Sequence, residues 1–507
     1  MELFFNLTAI LRAEYAGVFC IGRLEPLTTE RRLIAREMAS NVMVKFWSKL
    51  ASPRSRFSSS LAAILAGQAA SASIALLAEI IYARVLGPVV RGQISLCLMS
   101  IAFATLVASL GGEGTIVYWA SRSRKVNPSW FVAVSAWGGL GCAISGVLWS
   151  LVFWRFRLPF LRGMSGSSAR LVLISIPAAS LFAYAMALAS GFEQFRLRSA
   201  TATLRQVMSV MCLVLLLPFT GRNVNPVLWG NLTGLLAASV ATLCVLWPNL
   251  SGPWKLADAI QELKPTLAYG VRGQVGNVAT FFTYRLDVFI VNYFLDSAQL
   301  GLYALGVAVS EALWQIPSAV ASALFPRTAR TINQDATPFT CFALRQVLLT
   351  TSVAALAVAL LSPLVIPLVF GSRFGPSVPV IWWILPGTVA LALGKVACAD
   401  LAGRGKNGYS SVFAFLCLVV TAGLDWFLIP RMGIIGASLA SSVAYSLDAC
   451  LVLVALRYEL QVSWKVMLLP TWSDLLAYRV LWRRLKIASG LGSGQNPADS
   501  MYSFPET

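Results

Sequence analysis

Three charged residues interrupt an otherwise apolar stretch near the middle of the chain. Arg272, Arg285 and Asp287 lie within 266–295, a run long enough to cross a lipid bilayer as a helix. A charged group at the centre of a spanning helix costs about 2.5–3.5 kcal/mol on insertion scales, so such groups are rare and usually face a polar interior. The stretch therefore predicts a helix that lines something polar.

Helical geometry places most of these polar residues on one face. At about 100° per residue, a single arc of roughly 140° contains Arg272, Asn277, Thr280, Thr283 and Asp287. Arg285 falls outside the arc, where it could snorkel or pair with a neighbouring helix. The arc indicates either a polar pathway or a buried structural ion pair inside a helix bundle.

Acidic residues within apolar runs form a second group of candidates. They are Glu79, Asp287, Glu311, Asp425 and Asp448. A carboxylate held away from water can exchange a proton near neutrality, or it can be the partner of a nearby arginine. Either interpretation fits the acids from sequence alone.

Several kinds of catalytic and metal site are excluded by composition. The chain has no histidine, which rules out histidine metal sites, Ser-His-Asp triads and Cys-His pairs. Its nine cysteines are scattered, mostly inside apolar runs, and no two have CxxC spacing. The sequence therefore predicts no metal site and no cofactor.

Composition assigns the chain to the membrane proteins. It has 507 residues, of which 57% are hydrophobic and only 12% charged. We predict an all-α polytopic membrane protein with about twelve spans, at 59–84, 92–112, 129–154, 169–190, 204–220, 226–248, 266–295, 299–325, 344–370, 377–399, 409–430 and 433–457.

Positive charge sets the predicted orientation. The net charge of +19 is concentrated in loops and tails, a pattern that the positive-inside rule explains better than binding to nucleic acid. With the N-terminus inside, the cytoplasmic loops hold Arg122, Arg124, Lys125, Arg196, Arg198, Arg205, Lys255, Lys264, Arg327, Arg330, Arg404 and Lys406. The opposite loops hold mainly Arg91, Arg222, Arg373 and Arg431, with a further group at Arg155, Arg157 and Arg162. We therefore expect both termini to be cytoplasmic.

The two halves of the chain echo one another. Leu86 precedes Gly92 by the same interval that separates Leu295 from Gly301, with a predicted turn in each interval. Such echoes indicate a duplicated transporter. The predicted domains are a basic extension at 1–57, a six-helix bundle at 58–250, a linker at 251–265, a second six-helix bundle at 266–458 and an amphipathic or disordered tail at 459–507.

Five segments, in this order, carry a resemblance to a known family. They are RVLGPVVRGQ (84–93), YRLDVFIVNYFLDSAQLGLYA (284–304), IPSAVASALFPRTAR (316–330), LVFGSRFGPSVPVIWWILP (368–386) and IPRMGIIGASLASSVAY (429–445). The chain resembles the polysaccharide-transport branch of the multidrug/oligosaccharidyl-lipid/polysaccharide (MOP) exporter superfamily, the O-antigen and exopolysaccharide flippases. The resemblance covers about 60–456. It implies a transporter built as a V-shaped pair of six-helix bundles. Such a protein works by alternating access and is not an enzyme.

The resemblance also implies a cargo and roles for the charged residues. The cargo would be an oligosaccharide on undecaprenyl pyrophosphate, turned from the inner to the outer leaflet of the bacterial inner membrane. Arginine binds phosphate through its forked donors and permanent charge. The candidates for cargo binding are Arg272, Arg285, Arg84, Asn277, Thr280 and Thr283; those for coupling to a proton or sodium ion are Asp287, Glu79, Glu311, Asp425 and Asp448.

Two other functions remain open. A multidrug or small-cation exporter of the same superfamily would favour acids and aromatic residues over arginines in its cleft. A membrane polysaccharide polymerase or ligase would normally need a large external loop, which the chain lacks between its spans. A polysaccharide polymerase and glycosyltransferases are the expected protein partners of a flippase.

The predicted topology can be tested with a fusion. A reporter that is active only outside the cytoplasm, attached after residue 460, should remain inactive because the loop charges place that end inside. The same reporter inserted after Arg373, in a predicted external loop, should be active and serves as the positive control. A strong signal from the fusion after residue 460 would refute the topology.

Overall fold

This computed structural model describes residues 73–122, 127–250, 256–330, 337–406 and 408–469. Most of these residues form helices. All of these residues belong to one structural unit, Ser52–Thr507. The predicted extension at 1–57 lies outside the described residues, as does the tail beyond 469.

The first half contains seven helices within the described ranges. They are α1 (from 73, ending in a π-helical turn at Tyr82–Leu86), α2 (Gly87–Ser109), α3 (Gly112–Arg122), α4 (Pro128–Ser150), α5 (Gly166–Gly191), α6 (Phe195–Thr220) and α7 (Asn225–Leu246). The left-handed residues Leu110 and Gly111, with φ of 43° and 81°, separate α2 from α3.

The second half begins with a long helix whose start lies inside the predicted linker. Its helices are α8 (Leu256–Phe294), α9 (Ser297–Glu311), α10 (Gln315–Arg330), α11 (Thr337–Phe370), α12 (Ser377–Gly403), α13 (Gly408–Met432), α14 (Ile434–Leu460) and the short α15 (Trp464–Leu468). A 3₁₀ turn at Ala312–Trp314 interrupts the predicted eighth span between α9 and α10.

Ten of the described helical segments are long and apolar enough to cross a membrane. The first, Ser73–Ser109, contains two predicted spans, because Gly87, with φ of 78°, separates α1 from α2. The predicted seventh span, α8, is not among the ten; its charged and polar residues, such as Arg285, Asp287 and Asn292, lower its hydropathy. Counting the first segment as two spans and adding α8 to the other nine segments gives the twelve predicted spans.

Packing within each half groups the helices into two sets. In the first half, α5 packs on α2, α3 and α7, and α6 packs along α7. In the second half, α12 packs on α10, α11 and α14, while α13 packs between α8 and α14. The halves meet where α9 crosses α2 and where α8 passes along α2, α3 and α4.

The two echoed glycines form the crossing between α2 and α9. A Cβ atom on Gly92 would collide with the carbonyl oxygen of Ser297, and one on Gly301 would collide with the carbonyl oxygen of Pro88. Each added Cβ atom would also lie within 3.0 Å of the backbone nitrogen of the other glycine. Pro88 and Ser297 hold matching positions after Leu86 and Leu295, so the contact is nearly symmetric. Glycine permits such close approach of helix backbones.

An ion pair ties together the first two helices of each half. Arg91 Nε of α2 donates to Glu79 Oε2 of α1 at 2.7 Å. Arg285 of α8 binds Glu311 of α9 through two parallel hydrogen bonds of 2.8 Å. The prediction that Arg91 lies in an external loop is therefore wrong: it is buried in α2, and Ser95 accepts a second hydrogen bond from it.

We predict that Gly92→Ala lowers the stability of the protein. The added methyl group must push α2 away from the Ser297 carbonyl, and overpacking of this kind typically costs about 1–3 kcal/mol. Thermal unfolding of the detergent-purified protein, followed by tryptophan fluorescence, measures the effect. Gly139→Ala in α4 is the matched control, because its Cβ would meet no atom within 4 Å. Equal unfolding temperatures for the two variants would contradict the role given to the crossing.

We also predict that Arg285→Ala destabilises the protein more than removal of the whole ion pair. The single change leaves Glu311, whose side chain is only 15% exposed, without its cation, and such losses cost about 3–5 kcal/mol. The double variant Arg285→Met, Glu311→Leu replaces the pair with apolar groups and should recover most of the stability. Membrane accumulation and thermal unfolding report both effects. A double variant as unstable as the single one would show that the pair itself is not the cause.

Candidate substrate and ion sites

The structure divides the predicted polar arc of α8 into two environments. Thr283 and Asp287 are buried, and the Thr283 hydroxyl donates to the Ala414 carbonyl of α13 at 3.0 Å. Asn277 and Thr280 are exposed. On another side of the same helix, Phe281 and Phe282 pack against Phe103 of α2. The buried part of the arc thus faces the second bundle.

Arg272 lies in α8, but only its backbone is among the described parts of the structure. Its role in cargo binding stays a prediction. On either side of Arg272, the helix is close to the first half. A Cβ atom on Gly270 would collide with the carbonyl oxygen of Gly111, and the Gln274 side chain donates to Ser109 Oγ at 3.0 Å.

Asp287 is the centre of a hydrogen-bond network inside the second bundle. Its side chain is 3% exposed. The hydroxyl of Tyr303, on α9, and that of Ser441, on α14, both donate to its Oδ2 atom, the latter at 3.2 Å. The backbone N–H of Val288 donates to Oδ1 at 2.7 Å. These donors can stabilise an ionised carboxylate without a cation.

Asp425 lies within electrostatic range of Asp287 but has a different environment. It is fully buried in α13, and neither carboxylate oxygen has a hydrogen-bond partner among the described residues. A bare carboxylate in such a site is strongly disfavoured unless it takes up a proton or meets a cation. The chemistry of the pair therefore fits the binding of a proton or a small cation.

Two of the predicted cargo-binding arginines already have partners. Both Nη atoms of Arg285 donate to the Glu311 carboxylate. Arg84 is exposed and donates to the carbonyl oxygens of Leu368 and Val369, at the end of α11. Both arginines thus make contacts within the protein in this conformation, and Glu79, a predicted coupling acid, is likewise paired with Arg91.

An aromatic cluster surrounds a lysine that the sequence analysis did not select. The Lys395 ammonium lies 4.4 Å from the centre of the Trp314 ring and 6.0 Å from that of Tyr284. Tyr445 packs on both rings, with centroid distances of 5.6 and 5.5 Å. The predicted coupling acid Asp448 is within hydrogen-bonding reach of the Tyr284 hydroxyl. A charged residue inside the apolar run at 377–399 was the signal that could have identified Lys395.

Arg205 also differs from its prediction. The loop charge pattern predicts a cytoplasmic loop position for this residue, whereas the structure places it within α6, inside the candidate membrane span Arg196–Thr220. Its Nη1 atom donates to Asn231 Oδ1 of α7 at 3.3 Å. Because α6 begins at Phe195, well before the predicted start of the fifth span at 204, this arginine lies in the body of the helix and not at its end.

In the described ranges, no group of three or more histidine, cysteine, aspartate or glutamate side chains could hold a metal ion. A small hard cation in this part of the chain would find oxygen ligands in the carboxylates of Asp287 and Asp425 and in the hydroxyls of Tyr303 and Ser441.

Comparison with protein families gives one match over residues 81–379, to the model of a family described as polysaccharide biosynthesis protein. No curated protein sequence is similar enough to be matched.

Three solved structures with the same fold are those of transporters. The lipid II flippase MurJ, in an inward closed conformation, superposes with a TM-score of 0.63 at 14% identity, over 85% of this chain and 93% of MurJ. The Vibrio cholerae MATE transporter VcmN, solved as a point mutant, gives a TM-score of 0.53 at 14% identity, over 85% of this chain and 99% of its own. A MOP superfamily transporter from Pyrococcus furiosus gives a TM-score of 0.53 at 13% identity, over 79% of this chain and 94% of its own.

The expected fold is therefore confirmed: the protein is a multi-pass, all-α membrane protein with the V-shaped architecture of MurJ and the MATE transporters. The family model spans more than half of the chain, and the ordered segments found in the sequence lie largely within it. The chain belongs to the family described as polysaccharide biosynthesis protein, and its fold is that of MurJ and the MATE transporters.

Proposed function

We propose that the protein is a flippase for undecaprenyl-pyrophosphate-linked oligosaccharide in the bacterial inner membrane. It would turn this cargo from the cytoplasmic to the outer leaflet by alternating access and supply surface polysaccharide synthesis. Membership of a polysaccharide biosynthesis family and a fold shared with a lipid II flippase support the proposal. Both termini are cytoplasmic in this proposal, and a polymerase and glycosyltransferases are its partners rather than activities of the chain.

Coupling to an ion is proposed at Asp287 and Asp425. The observation that carries this step is the bare carboxylate of Asp425, fully buried and without a hydrogen-bond donor among the described residues. Asp287 has three donors and can stay ionised, so Asp425 is the member of the pair that would take up a proton or share a sodium ion with Asp287. Loss of the ion would leave two buried negative charges in electrostatic range and favour a different conformation.

The other selected residues keep roles in the proposal. Arg272 remains the first candidate for the pyrophosphate on α8, with the exposed Asn277 and Thr280 about one and two turns further along the helix. Arg285 and Glu311 would act as a pair, so the arginine becomes available to a phosphate only if the bidentate contact opens. Arg84, which holds the α11 carbonyls, would act when the halves separate at that end.

A second candidate function rests on the charge of the second bundle. The acids Asp287, Glu311, Asp425 and Asp448 lie there, together with Arg285, Lys395 and three aromatic rings around the lysine. Acids with aromatic faces also suit an organic cation. An exporter of small cations is therefore the alternative to the flippase.

Asp425→Asn tests the ion-coupling step. The change removes the charge while keeping the shape, so we expect at least a tenfold loss of gradient-driven cargo translocation, with membrane accumulation unchanged or higher. Proteoliposomes containing a lipid-linked oligosaccharide, with an imposed proton or sodium gradient, provide the measurement, and the gradient that accelerates the wild type identifies the ion. Asp296→Asn is the matched control, because Asp296 is exposed and asparagine caps α9 equally well.

Two results would contradict the proposal. Asp425→Asn vesicles that respond to the gradient as the wild type does would remove the coupling role from this residue. Wild-type vesicles that move a cationic dye but not the lipid-linked oligosaccharide, under either gradient, would favour the exporter over the flippase.

A further inference from the structure

We propose that Arg205 forms an anion-binding site inside the first bundle, and that its ligand is a phosphate group of the cargo's pyrophosphate. The identity of the cargo rests on the proposed function, whereas the anion site rests on the contacts of Arg205 alone. None of the arginines selected from the sequence for cargo binding lies in this helix.

Arg205 lies within a helical segment that is long and apolar enough to cross the membrane. It lies ten residues after Phe195, the first residue of α6, which corresponds to about 15 Å along the helix axis. The segment Arg196–Thr220 around it is a candidate membrane span. A snorkelling arginine would extend to the end of its helix, but the guanidinium group of Arg205 instead turns toward the neighbouring helices of its own bundle.

The neighbours of Arg205 are neutral. Nη1 donates to Asn231 Oδ1 of α7 at 3.3 Å, and the guanidinium carbon lies 5.7 Å from the centre of the Phe182 ring of α5. The hydroxyl of Tyr82 in α1 is within electrostatic range. Among the described residues, no carboxylate comes within ion-pairing distance of 4.0 Å. The arginine thus stays charged between three helices without a negative partner.

Two other arginines inside the helices contrast with Arg205. Arg91 is paired with Glu79 in the same bundle, and Arg285 with Glu311 in the second bundle. Because a guanidinium group cannot lose its proton in a protein, an unpaired one in hydrocarbon requires an anion from elsewhere. The pyrophosphate of the proposed cargo would supply such an anion.

The surroundings favour a phosphate as this anion. Asn231 occupies only one of the five N–H donors of Arg205, so an edge of the planar fork remains for two phosphate oxygens. The amide N–H₂ of Asn231 and the Tyr82 hydroxyl provide further donors around it. The Phe182 ring lies within cation–π distance of the guanidinium group.

Binding of farnesyl pyrophosphate to the purified full-length protein tests the site. Arg205→Gln should weaken binding at least tenfold, and Arg205→Lys should weaken it less, because the charge remains but the fork is lost. Arg222→Gln, an exposed cation just beyond the other end of α6, should bind as the wild type does. Farnesol, which lacks the phosphates, should bind equally to all four proteins.

A second variant distinguishes loss of ligand binding from loss of folding. Asn231→Asp would place the missing carboxylate beside Arg205, so this protein should unfold at a temperature equal to or above that of the wild type. It should nevertheless lose farnesyl pyrophosphate binding at least tenfold, because the new acid occupies the fork and repels phosphate. Normal binding by either Arg205→Gln or Asn231→Asp, within twofold of the wild type, would overturn the site.

The source of the phosphate and the proposed function are tested separately. Inorganic pyrophosphate that competes poorly with farnesyl pyrophosphate supports a lipid-linked ligand; equal competition would overturn the assignment to cargo and identify a free anion. If the wild type binds farnesyl pyrophosphate through Arg205 but does not translocate lipid-linked oligosaccharide in vesicles, the flippase proposal fails while the anion site stands.

Discussion

Ionised side chains inside the helices need partners within the protein, because the surrounding hydrocarbon offers none. The structure meets this constraint first between the opening helices of each half. Glu79 and Arg91 join α1 to α2, and Arg285 and Glu311 join α8 to α9. The order of charges is inverted between the halves, acid before base in the first and base before acid in the second. Each pair makes its two helices a unit that resists separation.

Two charges without an ion-pair partner carry the proposals, one in each bundle. Within the described residues, Arg205 has no acid in the first bundle, and Asp425 has no donor in the second. In a medium of low dielectric constant, each attracts a mobile charge of opposite sign. In the proposed transport cycle this asymmetry separates the two ligands, with the anionic head of the cargo in one bundle and the coupling cation in the other. In this proposal the bundles share an architecture but carry different ligands.

The contact between the halves is closest where side chains are smallest. Gly92 and Gly301 bring the backbones of α2 and α9 together, and polar contacts surround the crossing. Asn292 donates to the carbonyls of Phe160 and Arg162 at 2.9 and 3.0 Å, and Arg84 donates to the end of α11. Opening the protein at this end requires all of these hydrogen bonds to break together. Because each is made to a backbone carbonyl, the closed arrangement depends on helix position as well as on side-chain identity.

The sequence by itself determined the class of protein, its spans and the importance of α8. Apolar runs of membrane length and basic loops are local patterns, and the charges at Arg285 and Asp287 stand out within one run. The echo of Gly92 in Gly301 was also visible, although its meaning as a contact was not.

Only the tertiary structure decided which charges meet. A period of 3.6 residues tells which side chains share a face, but not which helix packs against it. The partners Asp287 and Ser441 are 154 residues apart, and Arg205 and Asn231 lie on different helices. Their proximity, and the isolation of Arg205 and Asp425 among the described residues, arise from helix packing that no local pattern records.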